Sequence, residues 1–210
     1  MFTFSLAEAF ITLFIGMGPI KVLLIYIAKT QGMEKETKRL IARRTVVVAA
    51  GVAVALFIAG AVIQQLLHFS IGALNIIGGL ILLLLAINMV LGGGAKPQGT
   101  EEGAHDPMSM AISPLAIPLT LNPVGIVTLV VASSEVTDMP SSIAVVVMIA
   151  IIALIDLVVL LGSDYISRYL TEATIHLLEV LLGIFLGAMA VQLMLNGLAD
   201  VGAITLTGGH

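Results

Sequence analysis

Two prolines carry the best prospects for chemistry in this chain, because each follows a helix-capping residue inside an apolar stretch. They occur in Gly18-Pro19-Ile20-Lys21 and Asn122-Pro123-Val124-Gly125, 104 residues apart (123 − 19). A proline within a helix removes a backbone hydrogen bond and crowds the preceding turn, at a cost of about 3 kcal/mol. Directly after a cap it marks instead the place where a helix starts. Each stretch therefore reads as two half-helices, the second beginning near mid-membrane. A helix start carries roughly half a positive charge and free N–H groups, a setting for a carboxylate or another small anionic group. Gly18, Pro19, Thr120, Asn122, Pro123 and Gly125 are the candidate binding residues. A pair of packing kinks is the plainer reading, and the capped repetition argues against it.

Charged and amide side chains inside apolar stretches add to this set. Lys21 lies two residues past the first break, where an uncompensated lysine costs about 2.5–3.5 kcal/mol at a helix centre. It either faces a substrate carboxylate or intramembrane acid, or snorkels to the headgroups. Asp156, within the apolar run from Ala150 to Leu161, is the best candidate for ion coupling or proton carriage; its competing role is a structural bridge to Lys21 or Arg43. Glu179 is a second, shallower acid, one to two turns into its span. Asn88 and Gln192, again 104 apart (192 − 88), line a pathway or bond between helices. Thr120 and Thr128 offer hydroxyls, although bonding to the helix backbone is the common fate of such residues.

The elements that must hold these residues are membrane spans. The chain is 59% hydrophobic and 10% charged, with mean hydropathy +1.15, outside the range of soluble domains. Apolar runs fall at 4–28, 43–67, 72–92, 108–133, 140–163 and 174–197, each near the roughly 20 residues that cross a bilayer. Met1 to Phe10 lacks a basic leader region and a cleavage site, so it reads as the start of a retained span. Pro114 and Pro118 interrupt the fourth run further, which leaves open a re-entrant pair in place of one broken span. Lys and Arg cluster in the first connection (Lys29, Lys35, Lys38, Arg39, Arg43, Arg44) and recur in the third (Lys96) and fifth (Arg168), while the second and fourth have none. The positive-inside rule then places both termini outside and the three basic connections in the cytoplasm.

The 104-residue offset recurs where Ala86-Ile87-Asn88-Met89-Val90-Leu91-Gly92-Gly93 aligns with Ala190-Val191-Gln192-Leu193-Met194-Leu195-Asn196-Gly197. Asn75 falls opposite Glu179. Three spans per repeat invert the second repeat relative to the first, a transporter pattern with its site at the broken helices. The expected fold is an all-α membrane protein of six transmembrane helices, a 3+3 inverted repeat with broken first and fourth helices. Residues 1–92 and 108–210 are the repeats, and 93–107 is a Gly-, Pro- and acid-containing cytoplasmic linker. With no Cys, disulfides, thiolate metal sites and cysteine nucleophiles are excluded. The four His lie at segment ends and do not cluster as metal ligands. No nucleophile–base pair or phosphate loop argues for an enzyme, no basic surface argues for nucleic acid, and no cofactor is expected.

The chain resembles the MarC family of integral membrane proteins, related to small neutral amino acid transporters. The likeness rests on Pro114-Leu-Ala-Ile-Pro118-Leu-Thr-Leu-Asn122-Pro123-Val-Gly125, on Phe69 to Gly79 with Ala86-Ile-Asn-Met, and on Leu182-Gly183 through Gln192 and Gly197. Gly18-Pro19-Ile20-Lys21 departs from the family's usual Asn/Asp-Pro-x-Gly at the first break, and Glu179-Val-Leu-Leu-Gly183 stands where members often carry a basic residue. The resemblance implies a secondary transporter of the prokaryotic cytoplasmic (inner) membrane that exports small neutral amino acids by alternating access, with a proton or sodium ion as coupling partner. A cation or metal exporter of related fold, using Asp156 and Glu179, and a passive pore are the rival expectations; a homo-oligomer is left open.

Overall fold

Local capping chemistry decides where several helices begin. The Ser70 hydroxyl accepts from the Ala73 N–H at 3.1 Å, the Asp138 carboxylate from Ser141 at 2.9 Å and the Thr171 hydroxyl from Thr174 at 3.2 Å. Each satisfies one of the donors that a helix N-terminus leaves unpaired. The computed structural model describes residues 6–91, 111–136, 138–167 and 171–205. Its helices are α1 (Leu6–Met17), α2 (Pro19–Thr30), α3 (Lys35–Leu67), α4 (Ile71–Val90), α5 (Pro123–Glu135), α6 (Met139–Leu161), the short α7 (Ser163–Ser167) and α8 (Glu172–Asp200). Ahead of α5 lies a widely wound segment, Ala111–Thr120, with extended backbone at Ser113 and Ile117 and a cis peptide bond between Ile117 and Pro118.

Among the described residues, five helical stretches are long and apolar enough to cross a membrane: Phe10–Thr30, Lys35–Leu67, Ile71–Val90, Met139–Leu161 and His176–Asp200. A sixth arises if Ala111–Thr120 and Pro123–Glu135, which meet at 70°, count as one broken span. The two breaks therefore differ in kind. At Gly18 a single extended residue interrupts an otherwise continuous span. At Leu121-Asn122 the chain turns sharply, just before Pro123, which disfavours helical backbone in the residue ahead of it. The expected span boundaries agree to within a few residues except in α3. That helix starts at Lys35, eight residues before the apolar run, so most of the expected basic loop is helical. Hydropathy registers only the part of a helix that is buried in lipid, and the charged turns of α3 project beyond it. The linker at 93–107 and Arg168 lie outside the described residues.

The side chains pack in two apolar clusters. One joins Leu13 and Met17 of α1 to Ala49, Ala53 and Phe57 of α3, Leu129 of α5 and Ile149 and Ile152 of α6. The other joins Val22 and Tyr26 of α2 to Leu115 and Leu119 of the wound segment, Ala86 of α4 and Leu186 and Ala190 of α8. The α4–α8 pair is held by glycines. A Cβ on Gly79 would stand 2.6 Å from the Ala190 carbonyl oxygen, and one on Gly183 would stand 3.1 Å from that of Ala86. Gly72 and Gly197 meet in the same way near the other end, so the helices run antiparallel in close contact. Outward, Leu80, Leu84, Ile87, Leu177, Ile184 and Phe185 are exposed, the surface that lipid covers.

Candidate functional site

The second break is built around Asn122, which is fully buried. Its side-chain oxygen caps α5 by accepting from the Gly125 N–H at 3.1 Å. Its backbone N–H donates to the Gly16 carbonyl at 2.9 Å, and its side-chain amide donates to the Ile15 carbonyl at 3.3 Å. The N-terminus of α5 thus abuts the C-terminus of α1, and its partial positive charge meets carbonyls that the break in the first span sets free. Glycine permits this approach from both sides: a Cβ on Gly16 would collide with the Gly125 backbone, and one on Gly125 would lie 2.9 Å from the Gly16 oxygen. Both residues are buried.

The start of α5 meets the end of α1, while α2 begins at Pro19, with Gly18 alone between it and that end. Gly18 caps α2 without any side-chain hydrogen bond. It is extended (φ −74°, ψ 156°), and a Cβ there would run into the Phe14 carbonyl. Around this junction, Pro19 is buried, and Pro123 packs on Gly78 of α4, where a Cβ would come within 3.1 Å of the proline ring. Thr120 is buried, and its hydroxyl donates to the Leu115 carbonyl at 2.8 Å, which stitches the wound segment together. Thr128 donates to the Val124 carbonyl at 2.8 Å, the backbone bond such residues favour. The Lys21 side chain lies outside the described residues.

The remaining candidates are dispersed. Asp156 is fully buried on α6 between Ala153 and Leu160, whose side chains belong to the cluster holding Tyr26 and Leu119. Glu179 is buried on α8, within electrostatic reach of His176 and Lys29. Asn75 instead donates to the Asp200 carboxylate at 2.8 Å, tying the start of α4 to the end of α8. Asn88 is half-buried, whereas Gln192 is exposed and bonds to Asn196 of its own helix at 2.8 Å. The last two therefore do not share the junction with Asn122. No group of three or more His, Asp or Glu side chains capable of holding a metal occurs among the described residues.

Two features escaped sequence reasoning. Gly16 completes the junction, and its only sequence sign is the small pair Gly16-Met17-Gly18 before the proline. Tyr26 is buried, and its hydroxyl donates to the Lys38 carbonyl at 2.6 Å, while the Lys38 ammonium pairs with Asp164 at 3.0 Å. A tyrosine near the end of an apolar span and a lysine 12 positions later give no local hint that they join.

A bundle of apolar helices, one interrupted and one sharply broken, with buried polar groups at the breaks, defines an integral membrane protein of broken-helix design. The chain belongs to the MarC family: the sequence pattern of the MarC family integral membrane protein matches residues 3–201. It is 30% identical over 192 residues to a UPF0056 membrane protein of Methanocaldococcus jannaschii, covering 90% of this chain and 94% of that one. A UPF0056 membrane protein of Archaeoglobus fulgidus is 30% identical over 194 residues, with 91% of each chain covered. The UPF0056 inner membrane protein YhgN of Escherichia coli (strain K12) is 29% identical over 194 residues, covering 92% of this chain and 96% of the relative. No solved structure matches the chain.

Proposed function

We propose that this protein is a secondary transporter that exports small neutral amino acids by alternating access, with the substrate bound at the helix breaks. The observation that carries the reading is the buried junction of Gly16, Asn122 and Gly125. Irregular backbone at membrane depth is costly unless it is packed in protein or lines a cavity, and broken spans are where transporters bind their cargo. In this state the junction is filled by protein. Substrate enters when α1 and α5 part, and its carboxylate takes over N–H groups now engaged by Gly16 and Asn122.

An inverted repeat of three spans each is part of this reading. Its support is reciprocal packing: Gly79 and Gly183 lie 104 residues apart (183 − 79), as do their partners Ala86 and Ala190 (190 − 86). Contacts that exchange in this way are what a two-fold relation between halves produces. The basic ends of α2 and α3 then face the cytoplasm, with both termini outside. An inner-membrane location agrees with the name of the Escherichia coli relative. Asp156, fully buried in a transmembrane helix, is the group we assign to proton or sodium coupling.

Proteoliposomes and labelled alanine test the reading. The wild type shows saturable uptake driven by an ion gradient, and Gly125→Leu abolishes it because the side chain prevents the contact with Gly16 that this state requires. Equal flux in Gly125→Leu, or no saturable flux in the wild type for any small neutral amino acid, overturns it.

A further inference from the structure

A second polar site opens at the basic end of the bundle, away from the breaks. A cavity of about 150 Å³ lies between the end of α2, the first turns of α3 and α7, with Thr30, Gln31, Lys38, Ser163 and Asp164 among its walls and Ile27 as an apolar one. Lys38 and Asp164 set opposite charges 3.0 Å apart at its edge, from positions 126 residues apart in the chain. The two side chains are 20% and 40% exposed, so both remain within reach of a solute.

Hydrogen bonds tie the surrounding frame together. Tyr26 is buried and donates to the Lys38 carbonyl. Thr30 donates to the Tyr26 carbonyl at 2.7 Å and Ser167 to the Asp164 carbonyl at 3.1 Å. With those protons committed to the backbone, both hydroxyl oxygens keep lone pairs to offer. Gly32, at φ 78°, bends the chain around the rim.

We propose that this cavity binds a small zwitterion of amino-acid size, Lys38 taking its carboxylate and Asp164 its ammonium. The charges select for that class. A simple anion meets the Asp164 carboxylate and a simple cation meets the Lys38 ammonium, whereas a molecule with both charges exchanges one ion pair for two. The apolar wall at Ile27 accepts a short aliphatic side chain. The proposal deepens the transporter reading and rests on it for its physiological meaning: the cavity is a waiting site at the membrane face for the substrate class of the breaks.

Equilibrium binding to the purified protein in detergent tests it, with alanine, propionate and ethylamine as probes in a Gly125→Leu background that closes the breaks. Alanine binding persists in that background and weakens about fivefold or more in Lys38→Ala and in Asp164→Ala. Preference then switches: Asp164→Ala gains propionate, Lys38→Ala gains ethylamine, and the exchanged pair Lys38→Asp with Asp164→Lys recovers both alanine binding and thermal stability. An ion pair that serves only to hold α3 to α7 loses stability in the single variants with no change of preference, and that result overturns the site. The liposome assay stands apart: transport without the switch removes this site alone, while the switch without transport removes the transporter reading alone.

Discussion

Asn122 uses nearly all of its hydrogen-bonding capacity at one point. Replacing it by Ala removes the cap on Gly125 and the donor to Ile15, while its backbone bond to Gly16 survives. The expected loss is about 1–3 kcal/mol, from a missing cap and a lost buried hydrogen bond. Asn122→Asp keeps the cap but not the donor, so thermal unfolding in detergent ranks wild type above Asp and Asp above Ala. Asp138 plays the corresponding part at the start of α6, where the Ser141 N–H holds its carboxyl below the usual carboxylate range. A depressed folded-state pKa stabilises the fold at pH values above the ordinary carboxyl range. That contribution is lost as pH falls through the depressed value. The melting temperature of Asp138→Asn therefore falls less on acidification than that of the wild type, and parallel pH profiles would remove Asp138 from the account.

The α4–α8 pair shows how small residues set helix distance. Gly79 faces Met194 and the Ala190 carbonyl, and Gly183 faces Val90 and the Ala86 carbonyl, so neither has room for a methyl group. Gly79→Ala and Gly183→Ala force the helices apart at an expected cost of about 1–3 kcal/mol each. A Cβ on Gly51 of α3 would meet nothing within 4 Å, and Gly51→Ala leaves the melting temperature unchanged or raised. If all three variants melt alike, close packing does not govern this pair. The same pair shows why the spans were readable in advance. Runs such as Ile71–Val90 and Met139–Leu161 are apolar on every face, because lipid and protein both accept such side chains. The charged opening turns of α3 were not readable as helix from hydropathy, since helix outside the membrane leaves no apolar trace.

Across the bundle, the two breaks touch through backbone and the Asn122 amide, and the proposed transport requires that contact to change. Gly16→Leu, on the opposite side of the junction from Gly125, is expected to stop alanine flux as completely as Gly125→Leu while leaving alanine binding at the Lys38–Asp164 cavity intact. Flux retained in Gly16→Leu would place the pathway elsewhere. The ion pair Lys38–Asp164 and the Tyr26 hydroxyl join α2, α3 and α7 at the basic end, and Asn75–Asp200 joins α4 to α8. Each links separate helices, so each is a property of the assembled bundle.

Membrane class, span positions, the helix starts at Pro19 and Pro123 and the capping role of Asn122 were legible in the residues, because each follows from chemistry within a few positions of itself. Solubility depends on composition, and a proline after a cap acts on its own turn. The partner of each break was not legible. In the folded chain the start of α5 docks on the end of α1, where Asn122 donates to the carbonyls of Ile15 and Gly16. Which carbonyls reach which amides depends on how helices more than a hundred residues apart cross. That crossing was settled by glycines at 16 and 125 that let two backbones meet.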